Sequence, residues 1–249
     1  VVDRAWDIVP DGTYFYRVSM LPEDQTDGTF RGPKVIWSIE DALGGSDTID
    51  GGPGADTIIG GAAGDTIYGG TGDDIITGDN ARLDFSPISG DDGPTRLDLL
   101  RTVAFGIGGA DTISGNAGSD VILGGFDGDT IYGDDAASSS GSDDLSDFIV
   151  GDNGEVVYTD SVIAQIRTTD TVETTGGADA IFGNYGDDLI LGGVNNGSPD
   201  VIHGNEGNDI IIGDDGEFLF DENSDLSTLD IARTVRTTSG GSDTIYGDE

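Results

Sequence analysis

A recurring aspartate is the feature that most constrains what this chain can fold into. Thirteen aspartates are each followed, two positions later, by an isoleucine. These aspartates are Asp47, Asp56, Asp65, Asp74, Asp111, Asp120, Asp129, Asp147, Asp179, Asp188, Asp200, Asp209 and Asp243. In residues 51–59 and 69–77 the full pattern is G-G-x-G-x-D-x-U-x, where U is a large apolar residue. A fixed internal period of this kind is typical of repeat architectures.

The isoleucine of each repeat indicates how the repeats pack. A three-residue strand that carries one inward isoleucine has too little apolar surface to form a core alone. It can bury that isoleucine only against the isoleucines of stacked neighbouring repeats. The sequence therefore predicts an all-β solenoid.

A longer period overlies the nonapeptide. After four nonapeptides the chain reaches Gly78-Asp79-Asn80, then Gly151-Asp152-Asn153, then Gly213-Asp214-Asp215, and an insertion begins each time. Each insertion contains an outgoing and a returning apolar run, which predicts a β-hairpin packed against the solenoid. The runs are Leu83 to Phe85 with Leu97 to Val103, Val156 to Tyr158 with Val162 to Thr168, and Phe218 to Phe220 with Leu229 to Val235.

The predicted domain boundaries follow from this longer period. Residues 43–107, 108–175 and 176–239 each form one block of repeats plus a hairpin, and residues 240–249 begin a fourth block. Residues 1–42 lie outside the nonapeptide pattern and are β-rich, with strand-like runs Tyr14 to Met20 and Lys34 to Ile39. They form either a cap or the end of a preceding unit.

The charge of the chain requires cations. Its 249 residues contain 10 Lys+Arg against 49 Asp+Glu, and the formal net charge is −39. Such self-repulsion destabilises a compact state. Nucleic acid is excluded as a partner because few basic groups are present to meet phosphates. No apolar run reaches membrane-spanning length, and the absence of cysteine removes disulfides and thiolate metal sites.

The repeat is suited to calcium. Ca²⁺ takes about six to eight oxygens from carboxylates and backbone carbonyls. Glycines allow a turn to fold back with its carbonyls pointing inward, and one short carboxylate per turn lets two stacked turns share an ion. The alternative is that these aspartates only stabilise turns through Asx hydrogen bonds, which explains the aspartates but not the uncompensated charge.

The nonapeptide resembles the RTX, or hemolysin-type, calcium-binding repeat over roughly residues 43–249 less the insertions. The resemblance implies a parallel β-roll that binds several Ca²⁺ ions between turns n and n+2, with the thirteen aspartates as metal ligands. The implied pairs are Asp47 with Asp65, Asp56 with Asp74, Asp111 with Asp129, Asp120 with Asp147, Asp179 with Asp200, and Asp188 with Asp209. The shortened turn before Asp47 and the expanded one at Asn195 to Pro199 depart from the pattern and are expected to bind no ion or to bind one poorly.

Other residues have simpler interpretations. Asp79, Asp152 and Asp214 are weaker ion candidates because they occupy the second position of their turns. His203 is interpreted as an ordinary strand side chain. Arg101, Arg167 and Arg233 recur before a threonine in each returning strand and are interpreted as ion-pair partners, with a binding site as the less favoured alternative. The sequence contains no G-x-S-x-G, H-E-x-x-H, Walker or EF-hand motif, so no catalytic residue is predicted.

These observations favour a secreted, calcium-stabilised structural module that is not an enzyme: part of an adhesin, a surface layer or a fibre. RTX-like proteins generally leave the cell by type I secretion and fold outside it. The alternative is the C-terminal calcium module of a secreted lipase or protease, and a lectin-like domain in residues 1–42 has only its aromatics in its favour. The unpaired strand at the end of the repeats predicts self-association or continuation in a longer array, with the hairpins providing lateral contacts.

Overall fold

A computed structural model describes residues 33–87, 95–135, 145–170, 172–220, 225–236 and 240–248. Apart from a single 3₁₀ turn at Glu173–Thr175, every regular element in this part of the chain is a β-strand. The strands form three sheets, which we call the open sheet, the middle sheet and the hairpin sheet. The described residues include no helix long and apolar enough to cross a membrane.

The open and middle sheets are built from the nonapeptides, and the chain alternates between them. The open sheet contains β2 (Thr48–Pro53), β4 (Thr66–Thr71), β8 (Thr112–Ala117), β10 (Thr130–Tyr132), β14 (Ala180–Tyr185), β16 (Val201–Glu206) and β20 (Thr244–Tyr246). The middle sheet contains β3 (Thr57–Ile59), β5 (Ile75–Thr77), β9 (Val121–Gly125), β11 (Phe148–Asp152), β15 (Leu189–Leu191) and β17 (Ile210–Ile212). All neighbours within these two sheets are parallel. The predicted parallel β-roll is confirmed.

The repeat isoleucines fill the space between these two sheets. Ile67, Ile113 and Ile131 of the open sheet are fully buried, as are Ile76 and Ile122 of the middle sheet. They belong to one continuous apolar cluster that runs the length of the roll. Each strand places its isoleucine opposite the isoleucine of the next strand, as in the pairing of Ile131 with Ile181. The period of the sequence therefore sets the register of both sheets.

The hairpin sheet is formed by the insertions. Its strands are β1 (Val35–Trp37), β6 (Ala81–Pro87), β7 (Thr95–Thr102), β12 (Gly154–Thr159), β13 (Val162–Thr168), β18 (Gly216–Leu219) and β19 (Ile231–Thr234). The three predicted hairpins are confirmed, and they pair with one another and with β1 in a single antiparallel sheet. The run Lys34 to Ile39 contains β1, whereas Tyr14 to Met20 lies outside the described residues.

A second apolar cluster joins the hairpin sheet to the roll. Leu123 and Val150 point outward from the middle sheet and pack with Leu100, Val156 and Phe218 of the hairpin sheet. All five side chains are fully buried. The middle sheet is consequently covered on both faces, and its strands are apolar on both sides, as expected of buried parallel strands.

The second residue of each turn determines whether the turn closes or branches. In turns that close directly this residue is glycine or asparagine with positive φ, for example Gly70 at 116° and Asn116 at 70°. Such a conformation is strained for most other residues. The insertions begin where this position is an aspartate that does not adopt it, at Asp79, Asp152 and Asp214. The chain then continues outward as a hairpin strand and re-enters the turn at a later glycine.

Candidate calcium sites

The repeat aspartates form two continuous ladders, one along each edge of the roll. In each ladder the backbone amide of one aspartate donates a hydrogen bond to Oδ1 of the aspartate in the next turn. The first ladder runs through Asp47, Asp65, Asp111, Asp129, Asp179, Asp200 and Asp243. The second runs through Asp56, Asp74, Asp120, Asp147, Asp188 and Asp209. The distances are 2.6–3.0 Å, except for 3.4 Å between the Asp200 amide and Asp243.

The structure brings together every aspartate pair that the sequence suggested. It also joins aspartates across the insertions, where the partners are far apart in sequence. The amide of Asp129, for instance, donates to Asp179 at 2.8 Å, although 50 residues separate them. The other pairs of this kind are Asp65 with Asp111, Asp74 with Asp120, Asp147 with Asp188, and Asp200 with Asp243. The insertions therefore do not interrupt the ladders.

The second carboxylate oxygen of most ladder aspartates is buried and has no partner. This is true of Oδ2 in Asp47, Asp56, Asp74, Asp111, Asp120, Asp129, Asp147, Asp179, Asp188, Asp200 and Asp209. A buried acceptor without a partner costs about 1–3 kcal/mol, and more where it carries charge. These unpaired oxygens recur at the same position of successive turns. Their recurrence indicates that the ladders provide oxygen ligands for cations.

For most of these unpaired oxygens, the first glycine of the turn and a backbone carbonyl lie close by. A Cβ added to Gly69 would lie 2.6 Å from Oδ2 of Asp74 and 2.5 Å from the carbonyl oxygen of Gly115 in the next turn. The same two kinds of oxygen meet at Gly124, from Asp129 and from Gly151. Only glycine leaves this space free, and oxygens converge on it from two successive turns.

Burial without a counter-charge raises the pKa of these carboxyl groups. It raises the pKa of Asp147 to about 10, that of Asp111 to about 8 and that of Asp120 to about 7. The neighbouring ladder carboxylates raise each pKa further, while the amide hydrogen bonds lower it. Burial also raises the pKa of Asp129 and Asp179 well above the ordinary value of 3.8. In the absence of a cation, a proton is the available way to neutralise these groups.

The oxygen-rich surroundings fit a hard divalent cation better than a transition metal. Among the described residues, no group of three or more His, Cys, Asp or Glu side chains is placed to hold a metal ion by itself. Each site between two turns would therefore combine carboxylate oxygens with backbone carbonyls. A donor set made only of oxygen suits Ca²⁺, which accepts six to eight oxygens in flexible geometry.

The two turns that depart from the repeat pattern keep their place in the ladder. The Asp47 amide donates to Asp65 at 2.7 Å despite the shortened turn before it. Asp200 follows the expanded turn at Asn195 to Pro199, and its Oδ1 still accepts the Asp179 amide at 2.8 Å. The orphaned Oδ2 atoms of Asp47 and Asp200 are buried as well. Poor binding at these turns stays a prediction, but the Asp200 carboxylate has the same geometry as the other ladder carboxylates, with Gly192 beside its Oδ2.

The aspartates that open the insertions have a different role from the ladder aspartates. Oδ1 of Asp79 accepts the amide of Gly109, where the chain re-enters the turn, and Oδ2 accepts the amide of Phe126 in the next turn, at 3.1 and 2.5 Å. Asp152 accepts the amides of Gly177 and Val194 in the same way. Backbone amides occupy both oxygens, so these buried carboxylates fasten the base of a hairpin to the roll.

The structure also places the histidine and the recurring arginines that the sequence analysis singled out. His203 stands in a row of stacked rings on the exposed face of the open sheet, between Phe182 at 5.2 Å and Tyr246 at 4.4 Å. Of the recurring arginines, Arg167 pairs with Glu155 and Arg233 with Glu217, as the ion-pair interpretation expects. Arg101 forms no ion pair within the described residues.

We predict that Gly69→Ala impairs calcium-induced folding, because its Cβ would occupy the space shared by Asp74 and the Gly115 carbonyl. Gly106→Ala is the matched control, since its Cβ would meet no atom within 4 Å. The measurement is the midpoint of β-structure formation in a Ca²⁺ titration followed by circular dichroism. A rise of at least about tenfold is expected for Gly69→Ala and little change for Gly106→Ala. Equal midpoints for the two variants would contradict the proposed ion space.

The raised pKa values predict an opposite pH dependence with and without calcium. Protonation of the buried ladder carboxyl groups stabilises the metal-free fold. This stabilisation is fully present below the ordinary carboxyl pKa of 3.8, and it is lost as the pH rises through the raised pKa values, from about 7 to about 10. In chelator, acidification from about pH 8 to about pH 5 should therefore increase β structure. In Ca²⁺ the same change should raise the calcium midpoint, because protons compete for the carboxylates.

Circular dichroism at both pH values checks this prediction. A control in about 1 M monovalent salt at about pH 8 screens the charges without protonating them. If that salt alone restored the full β signal, general repulsion rather than protonation of the ladder would be responsible.

Comparison with known proteins identifies the repeat. The family model of the RTX calcium-binding nonapeptide repeat matches four segments of the chain, residues 41–76, 105–137, 168–199 and 196–217. Neither the curated proteins nor the solved structures give a match. The four matched segments contain eleven of the thirteen ladder aspartates, and Asp147 and Asp243 lie outside them. With these matches and a parallel roll of the same register, the chain contains RTX calcium-binding nonapeptide repeats.

Proposed function

We propose that this chain is a calcium-stabilised structural or adhesive module that is secreted and folds outside the cell. The observation that carries the proposal is the continuity of the two aspartate ladders. Eleven successive pairs link turn to turn along the roll, and five of them cross an insertion.

Each pair defines one proposed ion space. The orphaned Oδ2 of a ladder aspartate and a glycine carbonyl of the next turn supply oxygens, and the amide bond to Oδ1 holds the carboxylate in orientation. A bound Ca²⁺ supplies the positive charge that the described roll sheets lack. Eleven such ions would neutralise more than half of the formal net charge of −39. The thirteen repeat aspartates are therefore the proposed metal ligands.

Because the roll needs cations to balance its charge, folding depends on the calcium concentration around the chain. Without cations, buried carboxylates repel one another along both edges, and each nonapeptide buries little besides one isoleucine. Free energy of metal binding then serves as free energy of folding. RTX repeat proteins are typically secreted by bacteria. A chain that stays unfolded at low cytosolic calcium and folds at high external calcium fits type I secretion.

The proposed structural role rests on connections between distant residues. A calcium ion between Asp129 and Asp179 would bind two points of the chain 50 residues apart, on either side of a complete hairpin. The blocks 43–107, 108–175 and 176–239 are accordingly proposed to be units of one cooperative rod. Such a rod suits an adhesin, a surface layer or a fibre, in which subunits must transmit load.

Individual ligands provide the first test. Asp120→Asn removes the charge of a fully buried ladder carboxylate, whereas Asp50→Asn removes one from an exposed position on the open sheet. We expect Asp120→Asn to weaken calcium-induced folding by about tenfold and to lower the number of bound ions in calorimetry. Asp50→Asn should behave as wild type. Similar losses in both variants would show that net charge matters rather than ligand position.

Mechanical unfolding tests the structural role. The chain, held by its two ends in a single-molecule force experiment, should unfold at a clearly higher force in millimolar Ca²⁺ than in chelator. Asp120→Asn should lower the force in calcium, and Asp50→Asn should not. If calcium restored β structure without raising the force, the ions would stabilise the fold but the load-bearing role would be wrong.

A further inference from the structure

The outer face of the hairpin sheet differs from every other described surface of the molecule. Its inner face packs against the middle sheet, and the residues that alternate with the buried ones point away from the roll. Across the seven strands, one outward row contains Trp37, Arg82, Arg101, Glu155, Arg167, Glu217 and Arg233. The adjacent outward row contains Val35, Asp84, Leu99, Val157, Gln165, Leu219 and Ile231.

The basic residues of the described chain are concentrated in this sheet. Each lies in one of its strands or within two residues of one, and the strands of the roll carry no lysine or arginine. These residues are Lys34, Arg82, Arg96, Arg101, Arg167, Arg233 and Arg236. The carboxylates that pair with them, such as Asp84 and Glu217, make the face close to neutral, whereas the edges of the roll are strongly acidic.

Arg101, near the centre of this face, has no carboxylate partner among the described residues. Arg82 binds Asp84, and Arg167 binds Oε1 of Glu155 at 2.6 Å. Arg101 lies between Arg82 and Glu155 in the row, but it forms no ion pair with any described residue. Its Nε atom is buried and has no hydrogen-bond partner. A guanidinium in this position lacks the carboxylate that the other arginines of the sheet have.

The second outward row supplies apolar surface next to these charges. Leu99, Val157 and Ile231 are half-buried on this face, and Leu99 and Val157 are cross-strand neighbours. An apolar centre bordered by arginine and carboxylate is typical of protein–protein interfaces. The signs along the charged row also alternate from Arg101 to Arg233, which makes the row complementary to a second copy of itself.

We propose that the outer face of the hairpin sheet is a self-association surface on which a second copy of this chain docks its own hairpin sheet, with Arg101 of each copy facing Glu155 of the other. A two-fold contact makes this pairing reciprocal. The apolar rows meet beside it, and the acidic roll of each copy stays on the far side. The two edges of the roll, which carry the aspartate ladders, would bring like charges together.

The size of the surface sets the expected strength. The six spacings of about 4.8 Å between seven strands span about 29 Å, and a face about 20 Å long then gives about 600 Å² per copy, or about 1,200 Å² in total. This area is at the lower limit for specific interfaces, so a dimer of micromolar order is expected. The proposal rests on the calcium-stabilised fold, and circular dichroism in calcium shows for every variant whether that fold has formed.

The test is the mass of the 249-residue chain in solution at about 100 µM and millimolar Ca²⁺, measured by analytical ultracentrifugation. Wild type should have twice the monomer mass of 25.6 kDa. Val157→Arg places a charge in the apolar row and should give a monomer. Thr112→Arg places the same charge on the exposed face of the open sheet and should leave the dimer intact. Both variants should show the β signal of wild type.

Two further variants separate this contact from others. Ile245→Arg changes an exposed residue on the last strand of the open sheet, where copies would stack end to end, and it should leave the dimer intact. Arg101→Glu should dissociate the dimer, and Arg101→Glu combined with Glu155→Arg should restore it. A wild type that is monomeric, or a dimer lost in Ile245→Arg and kept in Val157→Arg, would overturn the proposal.

Discussion

The fold depends on how each repeat aspartate divides its two oxygens between two tasks. After the first aspartate of each ladder, Oδ1 accepts the backbone amide of the aspartate in the preceding turn, as Asp147 does for Asp120 at 2.8 Å. That bond fixes the spacing of the turns and holds the side chain in one orientation. Oδ2 then points into a space bordered by glycine carbonyls and finds no partner in the protein. The amide hydrogen bond that orders the turns therefore also leaves each Oδ2 without a partner, and a cation can bind there.

The turns tolerate long insertions because branching occurs at one backbone position. A glycine or asparagine with positive φ closes the turn, whereas Asp79 and Asp152 direct the chain outward. The carboxylate of each then accepts amides from the re-entering chain and from the next turn. The re-entering chain returns to the register it left, and Asp65 still meets Asp111 across 46 residues. A hairpin can therefore grow from the roll without breaking either ladder.

Much of the roll was predictable from the sequence, and the hairpin sheet was only partly so. The nine-residue period places Asp56 against Asp74 and Ile67 against its neighbours, because one repeat determines the next. The joining of Asp129 to Asp179 was not predicted, since an insertion of any length is compatible with the local pattern. The union of three hairpins in one sheet was missed for a related reason. Alternating apolar residues predict a strand, but they do not predict that Leu99 pairs beside Val157 of another insertion.

The arrangement of the three sheets keeps the ladder carboxylates apart from the basic side chains of the hairpin sheet. The carboxylates that need cations are held at the edges of the roll, where small ions can enter between turns. The arginines stand on a sheet one layer away, and the apolar contact of Leu100 and Phe218 with the middle sheet keeps them there. Arginine side chains near the ladders would pair with the aspartates and remove the need for calcium. By keeping its cationic side chains on the hairpins, the chain leaves the ladder carboxylates dependent on cations from solution, so that the calcium concentration controls whether the roll forms.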